Sequence, residues 1–400
     1  MSAVEVPAGF GSADGSGDDT IVGAAMRQRS RTAGKQAGGR RLKSDSDRLI
    51  SDVAAEISPG PALLVLQHGT TLAAAIREHR PDLPLTCFTT EHFFSRTLHE
   101  FHPDASQQTE STDGGIRIVC AADPPEEEFA SILFPTLRGD PAEVAQEMFQ
   151  TLHQRLQQGG LLYVSTNQLK CRWIETRLKA LFSSVEVRKS ARGILFIARR
   201  TGTLKKLRGF RARFGFRQLD RVLLCESRPG VFSHRRLDGG ARSLIRSLDL
   251  TETANEPPPQ RIVEMGCGAG AVSVAAAARF HGCRVLGVDS DARAVECTLA
   301  SAGLNDLADV SAMLSSTGEI PEPGSWDLVL GNPPYYSDFR IAEVFLQAAR
   351  RALRPGGWVH IVSKPTEWHE ARIRQLFDNY AAHEIGGYTV FRARQRKPSS

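Results

Sequence analysis

The chain has 400 residues, of which 41% are hydrophobic, 24% charged and 7% aromatic, with a formal net charge of +5. At about 150 residues per domain this is ordinary globular material for two or three domains, which excludes a single small module. No run approaches the ~18 consecutive apolar residues of a membrane span, and Asp14, Asp18 and Asp19 interrupt any leader-like core, so the expectation is a cytoplasmic protein with no membrane contact.

Residues 1–42 are rich in Ser, Gly, Ala and charge and lack hydrophobic periodicity, so they bury too little apolar surface to offset the entropy of ordering. They read as a disordered basic tail carrying Arg27, Arg29, Arg31, Lys35, Arg40 and Arg41. From residue 43 onward strands and helices alternate, and the same order occurs twice. Gly69 and Gly266 each follow a short apolar strand, 197 residues apart. Phe129–Leu133 and Trp326–Leu330 are again separated by 197, as are Gly159 and Gly356, while Leu181-Phe182 and Phe196-x-Ala198-Arg199 recur after 195. The chain therefore reads as a tandem duplication of an α/β domain, residues 43–200 and 218–400, each a mostly parallel sheet covered on both faces.

Between the copies lies a connector, residues 201–217. From Arg199 to Arg217 the chain has eight basic residues, among them Lys205, Lys206, Arg208, Arg211 and Arg213, no acidic ones, and the aromatics Phe210, Phe214 and Phe216. A polyanion there would gain counterion release, with stacking on the aromatics as an added expectation; a solvated basic hinge is the plain alternative.

The copies differ at two places. The second has Gly266-Cys267-Gly268-Ala269-Gly270 where the first is read as Gly69-Thr70-Thr71-Leu72-Ala73, and Gly331-Asn332-Pro333-Pro334-Tyr335 where the first has Phe134-Pro135-Thr136-Leu137-Arg138. The glycine segment ends a strand and opens an alanine-rich helix, so a ligand can approach the backbone at a helix N-terminus. Some twenty residues later a strand ends in Asp289, where a carboxylate can accept both hydroxyls of a ribose. An adenosine-containing cofactor is implied, and with Ala271 as the last member of G-x-G-x-x-A a dinucleotide remains open.

The second segment follows the strand Trp326–Leu330 at the carboxyl edge of the same sheet. Two successive prolines fix their own φ angles and hold Asn332 extended, with its amide over the cleft. An exocyclic amine is a poor nucleophile because its lone pair is delocalised into the ring. Accepting its N–H hydrogens on Asn332 and a backbone carbonyl would localise that pair toward an electrophilic methyl, with Tyr335 stacked on the base.

With Gly266, Gly268, Gly270, Asp289 and Asn332-Pro333-Pro334-Tyr335 in place, the sequence resembles the amino-methyltransferases that use S-adenosylmethionine. Pro229-Gly230-Val231-Phe232-Ser233 and Leu237-Asp238-x-Gly240 resemble the entry segment of the bacterial ribosomal RNA guanine-N2-methyltransferases of the RsmC/RlmG type. The resemblance implies two tandem Rossmann-like class I methyltransferase domains, the first degenerate and the second catalytic. It implies S-adenosylmethionine held by Glu264, Gly266, Cys267, Gly268, Gly270 and Asp289, and guanine N2 presented by Asn332, Pro333, Pro334 and Tyr335. Phe232 and Asp238 would line the cleft and Arg208, Arg211 and Arg213 would grip RNA. The partner would be ribosomal RNA or a ribosomal subunit, 16S favoured over 23S, met by a monomer. Two departures stand out: the third strand, Val310–Leu314, ends without the usual polar residue for adenine, leaving backbone groups or Asp309, and Tyr335 stands where Phe is common. The rivals are a protein glutamine methyltransferase using the same motif, a DNA adenine methyltransferase, and a catalytically silent RNA-binding protein or chaperone.

Seven scattered cysteines without a C-x-x-C pair read as buried hydrophobes in a reducing compartment, and His68, His92 and His281 have no partners at metal spacing, so no metal is expected.

Overall fold

The computed structural model describes residues 42, 44–103, 105, 115–204, 206–251, 256–334, 338–364 and 367–396. The expected tail, Leu42 apart, lies outside these residues, as do Lys205 and Tyr335. The first half runs α1 (Asp45–Ser51), β1 (Ala62–Val65), α2 (Thr71–His79), β2 (Leu85–Thr89), α3 (His92–Phe101), β3 (Ile116–Cys120), β4 (Phe129–Thr136), α4 (Ala142–Arg155), β5 (Leu156–Thr166), α5 (Arg172–Leu181), β6 (Ser184–Ser190) and β7 (Gly193–Arg199). Strands buried on both faces must be apolar throughout, and β1 and β2 are buried at every position. Helix α4 turns Ala145, Met148, Phe149 and Leu152 to the sheet, the spacing of an amphipathic helix.

A hairpin follows, β8 (Ala212–Gln218) and β9 (Arg221–Ser227). The second half then runs α6 (Gly239–Arg246), β10 (Arg261–Met265), α7 (Ala271–Arg279), β11 (Arg284–Asp289), α8 (Ala292–Leu304), β12 (Val310–Leu314), β13 (Trp326–Gly331), α9 (Arg340–Ala352), β14 (Leu353–Ser363), α10 (Glu367–Leu376), β15 (Asp378–Ile385) and β16 (Tyr388–Arg394). The two seven-stranded sheets share one strand order, β3-β2-β1-β4-β5-β7-β6 and β12-β11-β10-β13-β14-β16-β15, with the last two strands of each forming an antiparallel edge. Each sheet is sandwiched between two apolar cores. Among the described residues no helix is long and apolar enough to cross a membrane.

The duplication is real, and its register is corrected at one point. Strands β4 and β5 precede β13 and β14 by 197 residues, but α2 precedes α7 by 200. Leu66 donates to the Phe88 carbonyl as Gly266 donates to that of Val288. The counterpart of Gly266-Cys267-Gly268-Ala269-Gly270 is therefore Leu66-Gln67-His68-Gly69-Thr70, three residues before the segment read from sequence. Gly69 and Gly266 match in residue type alone, whereas the strand-end hydrogen bond sets the equivalence.

Equivalent loops join the halves. His92 N donates to the Ser290 carbonyl and Ala292 N to that of Thr90, both at 2.8 Å, around a bridge between Glu91 and Asp291. Donor and acceptor exchange roles across a 200-residue offset, as at a two-fold interface. Beside it Arg228, with its side chain 3% exposed, pairs with Asp123 and Glu147 of the first half and Glu296 of the second, while Arg293 reaches Glu147 at 3.0 Å and the Ala122 and Pro229 carbonyls.

Candidate active site

In the second sheet β10 and β13 are parallel neighbours from which successive strands are laid in opposite directions, and the crevice at such a switch is where ligands of open α/β sheets bind. Register brings the segments level there: Met265 faces Val288 on one side and Gly331 on the other, and Asp289 faces Leu314. Gly266, Asp289, Ser315 and Asn332 thus begin at one edge.

Gly266, Gly268 and Gly270 all have positive φ, 70°, 54° and 76°, so the loop turns tightly with its backbone uncovered. A side chain at Gly270 would stand 2.8 Å from the Thr298 backbone, which excludes substitution on space as well as on φ. Asp289 accepts from Gly268 N (2.9 Å) and Asp291 N (3.0 Å), pinning the loop. Its burial, with Glu91 adding to it, pushes the carboxyl up to about 6. Glu264 and Cys267 lie beneath. Glu264 is 5% exposed and accepts from Ser273 N and Oγ, so it holds the first turn of α7, with burial raising its carboxyl to about 8. The buried Cys267 packs its thiol toward Gly287, and burial raises it well above a normal thiol.

Asn332 is the first residue after β13. Its Nδ2 donates to Asp238 Oδ2 at 3.1 Å. Asp238 is also the N-cap of α6, where the same oxygen accepts from Gly240 N (2.8 Å) and Ala241 N (3.2 Å). A side chain on Gly240 would lie 2.8 Å from Asn332 Oδ1, so only glycine lets the helix come this close. Before the cap the chain winds through positive φ at Ser233 and Arg235, held by Ser227 Oγ bonds to His234 and Arg235 N. That turn leaves Phe232 46% exposed, its carbonyl 4.0 Å from where a side chain on Gly268 would begin. Pro333 is buried and Pro334 half-buried.

Asp309, in contrast, precedes β12 and stands at the opposite, amino edge of the sheet. Polar groups at the proper edge are Ser315, Ser316 and Thr317, which the sequence reading passed over because they follow an apolar strand. Ser316 meets His92 of the first half, N to Nδ1 at 3.0 Å. Only the folded interface places His92 and Glu91 here.

The connector is not bare. Alternation along β8 turns Phe214 and Phe216 inward, and Phe210 is 3% exposed, so Phe210 and Phe216 are buried and Phe214 half-buried against the core rather than displayed for stacking. Arg211 is paired with Glu226 and Glu296, and Arg213 with Glu226. Arg208 makes no ion pair among the described residues, though its guanidinium leans on Phe210 and its backbone bonds to Gln150. Exposed basic groups without an ion pair among the described residues sit nearer the crevice: Arg236, Arg242 and Arg246 on and before α6, and Lys364, 5.1 Å above the Tyr388 ring.

Residues 223–392 match the family model of the methyltransferase small domain. This half is therefore similar to a methyltransferase small domain. It is similar to the ribosomal RNA small subunit methyltransferase C of Pseudomonas putida strain W619, 32% identical over 154 residues, 38% of this chain and 44% of that protein. The enzyme of that name from Alcanivorax borkumensis is 39% identical over 110 residues, 28% of this chain and 32% of the relative. The matched segments thus span less than half of these relatives. A solved structure of T. thermophilus 16S rRNA N2 G1207 methyltransferase, RsmC, in complex with AdoMet and guanosine superposes with a TM-score of 0.69 over 87% of this chain and 92% of that one, at 21% identity. Both halves of the fold, two tandem Rossmann-like, methyltransferase-like domains, are therefore shared with that structure.

Proposed function

We propose that this chain transfers a methyl group from S-adenosylmethionine to the exocyclic N2 of a guanine in 16S ribosomal RNA. The observation that carries the reading is the bond from Asn332 to Asp238. A carboxylate oxygen holding two backbone N–H groups can only accept, so the amide must present Nδ2 to it, which leaves Oδ1 as an acceptor at the crevice. An amine bound there gives a hydrogen to Oδ1 and turns its lone pair out of the ring.

The residues at the glycine loop fit the cofactor. Gly266, Gly268 and Gly270 offer open backbone, and the Asp289 carboxylate has lone pairs left for ribose hydroxyls, while Glu264 and Cys267 support the loop from below. Phe232 lines the mouth and Tyr335 provides the stacking face. When bound, S-adenosylmethionine supplies a methyl on a sulfonium whose neutral thioether leaves readily. The chain's own contribution is orientation, which requires neither metal nor strong base. The surplus charge of Arg236, Arg242, Arg246 and Lys364 around the mouth suits RNA phosphates, with Arg208, Arg211 and Arg213 as a secondary contact. Because a guanine must leave its stack to enter, an unpaired or partly folded RNA segment is the fitting substrate. Seven free thiols suit a reducing cytoplasm.

The test separates chemistry from binding. Asn332→Ala should lower N2-methylguanosine formation on unmodified 16S RNA or small subunits by about 10²–10³-fold. Calorimetric affinity for S-adenosylmethionine should stay unchanged. Equal loss of both would remove Asn332 from the chemistry.

A further inference from the structure

Every hydrogen bond that the Asp238 side chain accepts among the described residues falls on Oδ2: Gly240 N, Ala241 N and Asn332 Nδ2. Oδ1 takes none, although the residue is only half-buried and its partner Asn332 is the group proposed to meet the reacting amine. A cap needs one oxygen, and serine or threonine would serve it. The second oxygen is therefore surplus to the helix, on a carboxylate whose other oxygen holds the Asn332 amide.

We infer that Asp238 Oδ1 accepts the N1–H of the target guanine, so that Asp238 both orients Asn332 and selects guanine. The inference rests on the guanine reading proposed above. Guanine carries two neighbouring donors on one edge, N1–H and N2–H, and the site then offers two neighbouring acceptors, Asp238 Oδ1 and Asn332 Oδ1. Adenine places an acceptor, N1, beside its amine. It would set a lone pair against a carboxylate, a mismatch inside a partly desolvated site that hydrogen-bond complementarity does not tolerate. Asparagine alone cannot make this distinction, since its oxygen accepts from either amine.

2-Aminopurine tests the point, because it keeps the N2 amine and lacks the N1–H. The probe is an RNA oligonucleotide containing the guanine that the wild-type chain methylates, compared with the same oligonucleotide carrying 2-aminopurine there. The wild-type chain should prefer guanine by about 10²-fold in kcat/KM. Asp238→Asn keeps one oxygen for the cap and for Asn332 but turns an NH2 group toward N1. The preference should fall at least about tenfold in that variant, since intrinsic amine reactivity cancels in the ratio. Retained affinity for S-adenosylmethionine shows that the variant is folded. If both substrates slow equally and the ratio stands, Asp238 only positions Asn332 and the inference is overturned. If the wild-type chain makes no N2-methylguanosine at all, it is the underlying guanine reading that falls.

Discussion

At the residue scale the decisive groups are two carboxyls fixed by backbone donors and an amide fixed by one of those carboxyls. Asp289 illustrates how burial and function pull against each other. Desolvation, reinforced by Glu91, raises it to about 6, while the Asp291 and Gly268 amides oppose that rise. Its neighbour Asp291 is raised as well, by burial first and then by Glu91 and Asp289. A carboxyl raised on folding adds stability that is complete below its unfolded value and fades as pH climbs through the folded one. Accepting ribose hydroxyls needs the ionised form, so cofactor binding has the opposite dependence. Affinity for S-adenosylmethionine should drop roughly tenfold between about pH 7.5 and pH 5, and Asp289→Asn should bind weakly with a flattened profile. A wild-type profile that is flat across this range would misplace the ribose contact. These roles were partly readable in advance: Asn332 and Asp289 stand in motifs whose spacing carries the chemistry. The Asp238 link was not, because 94 residues separate it from Asn332 and only the meeting of α6 with the end of β13 joins them.

At the element scale, strand and helix order was legible because β1 is an unbroken apolar run, β10 is apolar but for Arg261 and Glu264, and α7 is alanine and valine but for Ser273 and Arg279. The connector was not. Its arginine count hid the period-two pattern of β8, in which phenylalanines face inward, and the carboxylates of β9 and α8 that take up the arginine charge. The same region holds the clasp between halves. Arg228→Ala would leave Asp123, Glu147 and Glu296 crowded without their shared cation. Since Asp123 and Glu296 keep some solvent, the cost should be about 2–4 kcal/mol, below that of a fully enclosed pair. Urea unfolding followed by fluorescence checks this, and a loss under about 0.5 kcal/mol, the level of an ordinary surface change, would show that the clasp is not structural.

At the scale of the whole molecule, the first half repeats the architecture of the second without its glycine loop or its Asn-Pro-Pro corner. Leu66-Gln67-His68-Gly69-Thr70 stands at the loop, Thr89 at the position of Asp289, and Pro135 at that of Asn332. What the first half retains is the contact surface. Glu91 and His92 brace Ser290 and Ser316 at the edge where Asp289 ends its strand, so the first copy is part of the wall of the candidate site in the second. The repeat was visible in sequence as a recurring offset, whereas the drift from 200 to 197 to 195 along the chain, produced by loops of unequal length, needed the strand register. The central claim is that Asn332 presents guanine N2 of 16S RNA for methylation. Its most direct test is to map N2-methylguanosine in both ribosomal RNAs of the source cells with the chain present, absent, or replaced by Asn332→Ala. The account predicts one 16S guanine that loses the mark in the last two cases, and 16S maps identical in all three would contradict it.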